Sequence, residues 1–303
     1  MNRKAYKLTP ALSDRLWGGV RLKEYGKDKT AGRIAESWEL SFHPSGCATV
    51  DGTPVTEVFD RRDFGTLCER FERFPVLTKF IDAKENLSVQ VHPSDAYALE
   101  NENSYGKTEM WVIVECEEGA GLYLGLKKAV GRDEFSRAIE EGRVEELLSF
   151  VPVKPGEVYF IPAGTLHAIG GGVLLYEIQQ NSDLTYRVYD YNRRDASGKL
   201  RELHVEAAMK VADLVPYEST KISGDDPALI GDCEYFKTRI YKEKFTNKAF
   251  FVDESSYLAI TALSGEGELD GQKIQKGDTF FIPAGAGEVT LSGELIVVTV
   301  GMK

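Results

Sequence analysis

Four histidines occur in 303 residues: His43, His92, His167 and His204. Any imidazole chemistry this chain performs must draw on that short set. His92 closes the segment Leu87-Ser-Val-Gln-Val-His-Pro93, with Gln90 two residues ahead of it. Alternate residues of a strand face one side, so these two side chains project together. Glu109 follows 17 residues after His92 in Gly106-Lys-Thr-Glu-Met-Trp111, and Lys107 shares its face. His167 comes 58 residues after Glu109, in Ile161-Pro-Ala-Gly-Thr-Leu-His-Ala168. Gln90 Oε1, two imidazole nitrogens and the Glu109 carboxylate would make a mixed nitrogen–oxygen donor set with one full negative charge. Zinc takes such donors and leaves a position open for water or substrate. Iron and manganese accept them too, because donor type alone does not select the metal. His43, in Ser41-Phe-His-Pro44, reads as structural, and His204, in a charged stretch, as a surface residue.

The elements that must position these residues are mostly strands. Short runs rich in Val, Ile, Tyr, Phe and Thr alternate with Gly, Pro, Asn and Asp, as in Met110-Trp-Val-Ile-Val114, Val173-Leu-Leu-Tyr-Glu-Ile178 and Thr185-Tyr-Arg-Val-Tyr-Asp190. Residues 131–150 carry charges with apolar residues at helical spacing, which predicts one or two short amphipathic helices. Residues 201–215 and 58–71 are weaker helix candidates. The segment Val153-Lys-Pro-Gly-Glu-Val-Tyr-Phe-Ile-Pro-Ala-Gly164 recurs 121 residues later as Ile274-Gln-Lys-Gly-Asp-Thr-Phe-Phe-Ile-Pro-Ala-Gly285. Upstream, the run from Trp111 to Gly119 pairs with the run from Leu258 to Gly267. Self-similarity at one long offset means a duplicated domain. A strand ending in Pro-Ala-Gly and followed by histidine resembles the second metal-binding motif of cupins, which are double-sheet jelly rolls. The expected fold is therefore mainly all-β, a bicupin of two jelly-roll domains with a few short helices. Residues 1–220 are the expected metal-binding domain and 221–303 a degenerate one. In the second copy Ala286-Gly-Glu288 replaces Thr165-Leu-His167, and no histidine follows residue 204. Val215-Pro216 and Ser223-Gly-Asp-Asp-Pro227 read as a polar linker.

Composition narrows the partners. Lys+Arg total 37 against Asp+Glu 48, a formal charge of −11. This argues against general nucleic-acid or anionic-membrane binding, where attraction to phosphate dominates. No run approaches 18 consecutive apolar residues, so no transmembrane helix is expected. The basic N-terminus has no apolar stretch behind it and does not read as a signal peptide. Cys47, Cys68, Cys116 and Cys233 form no Cys-x-x-Cys pair, which suits a reducing, cytoplasmic compartment.

The segments quoted above, with Trp17-Gly-Gly19, Glu36-Ser-Trp-Glu-Leu-Ser-Phe-His-Pro44 and Glu177-Ile-Gln-Gln-Asn-Ser-Asp-Leu-Thr-Tyr-Arg187, run in one order along the chain. In that order they resemble the type I mannose-6-phosphate isomerases, in the short bacterial and archaeal form. The resemblance implies a metal-dependent interconversion of mannose 6-phosphate and fructose 6-phosphate. It implies one zinc ion on Gln90, His92, Glu109 and His167, with Gln90 either among the ligands or directly behind them. It implies an essential arginine at Arg187, and substrate or phosphate contacts at Lys107 and Ser88. The helical insertion of the long enzymes is absent, reduced at most to residues 131–150.

Those roles make chemical sense. An aldose–ketose isomerase moves a proton between C1 and C2 through an enediolate, and a metal can stabilise its charge as a Lewis acid. A fixed cation such as Arg187 adds electrostatic stabilisation. Lys107 and Arg187 can hold a phosphate within an otherwise acidic protein. Glu177, Lys107, His92 and a metal-bound water are the candidates for the proton transfer, with Glu177 also a candidate substrate contact. The expected partner is a small phosphosugar, and the chain a monomer or homodimer. Two other readings compete: an iron cupin dioxygenase, whose usual ligand set needs more histidines, and a non-catalytic sugar-binding bicupin. Arg61-Arg62 and Arg193-Arg194 read as solvated pairs, and Tyr186, Tyr189 and Tyr191 as sheet packing. Gly170-Gly-Gly172 lacks the features of a phosphate loop and reads as a flexible hairpin turn.

Overall fold

The structure is a computed structural model that describes residues 4–27, 32–194, 198–219 and 226–303. The chain divides into two compact units. One contains the first repeat and comprises Asp14–Val20 and Ile81–Thr220; the other contains the second and comprises Met1–Ser13, Arg21–Phe80 and Lys221–Lys303.

In the first-repeat unit a five-stranded antiparallel sheet runs in the order Leu148–Pro152, Gly121–Leu126, His167–Ile169, Val89–Val91, Tyr186–Tyr189. A second ladder sets Glu109–Cys116 between Val158–Ile161 and Val173–Gln180. Together they are the two sheets of a jelly roll. Alternation sorts the side chains of the five-stranded sheet. Val89, Val91, Ala168, Tyr186 and Val188 join one buried apolar cluster with Phe135, Ile139, Val144 and Ala208. Gln90, His92, His167 and Arg187 fall on the alternate face.

The helices exist to cover that apolar side. Arg132–Glu140 begins with Asp133 and Glu134, which suit its positive N-terminal end, and buries Phe135, Ala138 and Ile139. Val144–Leu147 and Val205–Val211 add Val144 and Ala208. Burying one Phe or Ile in this way stabilises by about 1.5–3 kcal/mol. Residues 131–150 thus form the two short helices expected. Residues 58–71 give only single turns, Arg61–Phe64 and Thr66–Cys68, the first held by an Asp60–Asp63 capping box.

The repeat is a structural one. Val158–Ile161 pairs with the Glu109 strand as Thr279–Ile282 pairs with Leu258–Leu269. Each ladder ends in the same turn. Gly156 and Gly277 both sit at φ +89°, a conformation only glycine adopts cheaply. Glu157 accepts a hydrogen bond from Lys154 N at 2.9 Å, and Asp278 accepts one from Gln275 N at 3.0 Å. The acidic position recurs because it ties this turn. The ladder also corrects the upstream alignment. Ile161 lies opposite Glu109 and Ile282 opposite Leu258, so the counterpart of Leu258 is Glu109, and that of Trp111 is Ile260.

The division of the chain differs from the expected 1–220 and 221–303. Residues 1–13 and 21–80 belong with the second repeat because Tyr6–Leu8 pairs with Thr279–Ile282. Lys27 and Glu39 form a buried ion pair in that unit, with Nζ also donating to Gly277 O at 2.6 Å and Thr279 Oγ1 donating to Glu39 at 3.2 Å. Val215-Pro216 is not a linker either: Leu126 N donates to Val215 O at 3.1 Å, and Tyr217 OH to Phe160 O at 2.8 Å. Of the second linker segment, Ser223, Gly224 and Asp225 lie outside the described residues.

Candidate active site

His92, Glu109 and His167 present ligand atoms that all lie within 4.8 Å of one another, and each side chain is buried. They come from three strands or strand ends. His92 directly follows Val89–Val91, Glu109 opens its strand, and His167 opens the strand after the Pro-Ala-Gly turn. The imidazoles are oriented from behind. His92 Nδ1 lies 2.9 Å from Leu184 O, and His167 Nδ1 2.9 Å from Thr165 O. A carbonyl only accepts, so both Nδ1 atoms carry the proton and both Nε2 atoms keep a lone pair facing the cluster. Burial and the Lys107 charge depress the His167 pKa to about 4, which keeps the ring neutral near pH 7.

Glu109 has no exposed surface. Its Oε1 is buried, has no hydrogen-bond partner and lies 3.2 Å from His167 Nε2. Its Oε2 accepts from Lys107 Nζ. Burial pushes the carboxyl well above its usual range, Lys107 pulls it back down, and Glu177 pushes it up again. Two neutral imidazoles and an under-satisfied carboxylate are a donor set suited to a divalent cation of borderline softness. Gln90 Nε2 donates to His167 Nε2 at 3.3 Å, so the amide stands at the edge of the same cluster. Turned over, it would offer Oε1 instead.

The cationic and acidic neighbours follow. Lys107 Nζ donates to His92 Nε2 at 3.2 Å and lies 3.6 Å from Glu177 Oε1. Glu177 Oε1 accepts from Trp111 Nε1 at 3.0 Å. One strand over, Arg187 lies opposite Gln90 in the ladder. Its Nε donates to Ser88 Oγ at 3.2 Å and its Nη1 to Glu202 O at 2.9 Å. Every candidate site residue thus lies in the first-repeat unit: His92, Glu109, His167, Lys107 and Glu177 in one buried knot, Gln90 at its edge, and Ser88 with Arg187 beside it.

Three groups were not expected to contribute. Trp111 packs edge-on against His167, with ring centroids 5.4 Å apart, besides holding Glu177. Its place two residues after Glu109 on one strand was the available signal. His204 is half-buried, and its Nδ1 accepts from Arg187 N at 3.3 Å, so it supports the arginine strand. Gln179, opposite Glu109, donates from Nε2 to Gln180 O at 2.7 Å and Ser182 O at 2.6 Å, bracing the loop that supplies Leu184 O.

His43 belongs to the other unit, where its Nδ1 accepts from Ser45 N at 3.1 Å, in keeping with the structural role expected of it. Arg193 is not a solvated residue: Nη1 donates to Asn86 O at 2.6 Å and Nη2 pairs with Asp190. Gly170-Gly-Gly172 is held, not flexible. A Cβ at Gly170 would stand 2.3 Å from Gly121 O, and all three amides donate hydrogen bonds, to Gly121 O, Asn86 Oδ1 and Ala83 O. The glycines are there for close backbone approach.

Known proteins align with this chain throughout its length. A family model described as phosphomannose isomerase type I, catalytic domain, matches residues 5–115, and one described as mannose-6-phosphate isomerase, cupin domain, matches residues 228–301. The mannose-6-phosphate isomerase ManA of Bacillus subtilis (strain 168) is 38% identical over 302 residues, covering 94% of each chain. The crystal structure of the mannose 6-phosphate isomerase from Bacillus subtilis has a TM-score of 0.87 at 34% identity, covering 98% of this chain and 99% of that one. A mannose 6-phosphate isomerase solved with zinc and yttrium has the same fold, with a TM-score of 0.78 at 18% identity, covering 99% of this chain and 100% of that one.

Proposed function

The chain belongs to the type I phosphomannose isomerase family and interconverts mannose 6-phosphate and fructose 6-phosphate, and we propose that it does so at the buried knot of the first-repeat unit. His92, Glu109 and His167 hold a zinc ion there, with Gln90 as the fourth donor. The observation that carries this reading is the convergence of ligand atoms from His92, Glu109 and His167 within 4.8 Å of one another, with Glu109 Oε1 left without a hydrogen bond. The fold shared with a zinc-bound isomerase supports the same metal. Other divalent ions that accept nitrogen and oxygen donors fit the set as well. When bound, the ion supplies Lewis-acid stabilisation to the sugar oxygens.

The remaining residues act on the substrate directly. A proton moves between C1 and C2, and an enediolate carries negative charge in between. Arg187 supplies a fixed cation for that charge, in a setting where partial burial strengthens it. Ser88 Oγ, hydrogen-bonded to the guanidinium, contacts the same end of the substrate. Lys107 adds a second cation for the enediolate or the phosphate. Glu177 orients Lys107 and contacts the sugar. An iron dioxygenase is disfavoured because His43 and His204 stand outside the donor set, leaving it two imidazoles. All four cysteines are unpaired, which supports a reducing, cytoplasmic setting.

The test is chelation. Exhaustive removal of metal should abolish the coupled conversion of mannose 6-phosphate, and zinc should restore it. Full turnover by protein shown to contain no ion would overturn the proposal.

A further inference from the structure

Lys107 Nζ sits among atoms that would themselves grip a cation. It donates to His92 Nε2 at 3.2 Å and to Glu109 Oε2, and lies 3.6 Å from Glu177 Oε1. His92 and Glu109 are two of the three members of the candidate ligand group. Lys107 is itself only 5% exposed, so its ammonium has left bulk water for these partners. A divalent ion bound through the same lone pair of His92 and the same carboxylate would stand within a few ångströms of that ammonium. Two like charges so close in a buried site repel strongly. The two therefore compete for Glu109.

The structure also holds a second seat. Glu177 is buried, lies opposite Trp111 in the ladder, and its Oε1 is fixed by the indole N–H at 3.0 Å. Lysine carries a compact charge on a flexible four-carbon stem, and a small rotation moves Nζ from Glu109 to Glu177. We infer that Lys107 is the built-in counter-ion of the buried carboxylate Glu109, and that it yields this place to the metal by passing to Glu177. The inference rests on the reading of His92, Glu109 and His167 as metal ligands and goes beyond it. The lysine keeps the metal-free site from burying a naked carboxylate, at the cost of weaker metal binding. Glu177 offsets that cost by receiving the ammonium.

The experiment measures zinc affinity of the full chain at pH 8 by competition with a chromophoric chelator, and thermal unfolding of the chelated protein. Lys107→Met should bind zinc at least about tenfold more tightly than the parent. Its chelated form should unfold at a lower temperature, and zinc should restore it. Glu177→Gln should bind zinc about tenfold more weakly. In the Lys107→Met background the Glu177→Gln change should have no effect on zinc affinity. Unchanged or weaker binding by Lys107→Met would overturn the inference, as would a Glu177→Gln effect that persists in the double variant. His167→Ala separates the two levels. If it keeps zinc, the ligand reading fails; if it loses zinc while Lys107→Met binds no tighter, only the counter-ion role fails.

Discussion

The two repeats share a ladder and a turn but fill them differently. In the first, the positions facing the site carry Glu109, Trp111, Glu177 and Gln179. The ladder positions that match the first three in the second repeat are Leu258, Ile260 and Thr299. After the shared Pro-Ala-Gly turn, His167 has its counterpart in Glu288. Ile260 then packs with Phe280, Ile282, Val289, Leu291 and Val297 in an apolar core. The strand framework is indifferent to chemistry. What decides is whether the buried positions are apolar, and stabilise by transfer from water, or polar, and then need partners for every charge. The first repeat supplies such partners through Leu184 O, Thr165 O, Trp111 Nε1 and Lys107 Nζ.

The contrast can be broken most forcefully at the position after the turn. His167→Ala should lose bound metal and lower turnover by a hundredfold or more, roughly the scale of losing a central electrostatic group. Glu288→Ala, its counterpart, should leave metal content and rate unchanged; metal analysis and a coupled assay read both. Next in size, Arg187→Ala should keep its metal and lose roughly a hundred- to a thousandfold in kcat. An unchanged kcat would remove Arg187 from the chemistry. A smaller pair compares Trp111 with Ile260. Trp111→Phe removes the hydrogen bond that fixes Glu177 and should cost about tenfold in metal affinity or activity. Ile260→Val should cost only about 0.5–1.5 kcal/mol of stability in denaturant titration, with activity intact.

A last effect concerns pH and the second-repeat unit. Burial pushes the Cys68 thiol up from 9.0 to about 12. Above pH 9 the unfolded chain releases this proton while the folded chain keeps it, so the contribution is complete below pH 9 and fades as pH rises toward 12. The slope is about 1.4 kcal/mol per pH unit at most. Cys68→Ala should flatten the alkaline fall in stability, measured by denaturant midpoints between pH 8 and 10.5.

Much of the site was legible because a strand has a period of two. Gln90 with His92, and Lys107 with Glu109, share a face by spacing alone. The repeat showed where His167 sits relative to a turn, and the second copy carries no histidine after the matching turn. The orienting carbonyls of Leu184 and Thr165 left no trace, since a main-chain acceptor has no residue signature. Gly170-Gly-Gly172 was misread because glycine serves both freedom and close approach, and the strand beside it settles which. Arg193 was misread because its acceptor is the main chain of Asn86, more than a hundred residues away.

The residue sequence by itself determined the class of fold, the duplication and the donor types, because hydrophobic period and turn chemistry are local properties. Only the tertiary structure decided which strands pair, and so that residues 1–13 and 21–80 belong with the second repeat and that Ile260, not Leu258, answers to Trp111. Pairing is set by contacts between segments far apart in the chain, and a period-two pattern specifies a face without naming its partner. The same holds for Lys107. Its spacing gave a face shared with Glu109, but its place between Glu109, His92 and Glu177 exists only once three separate stretches of chain have been brought together and water has been excluded from between them.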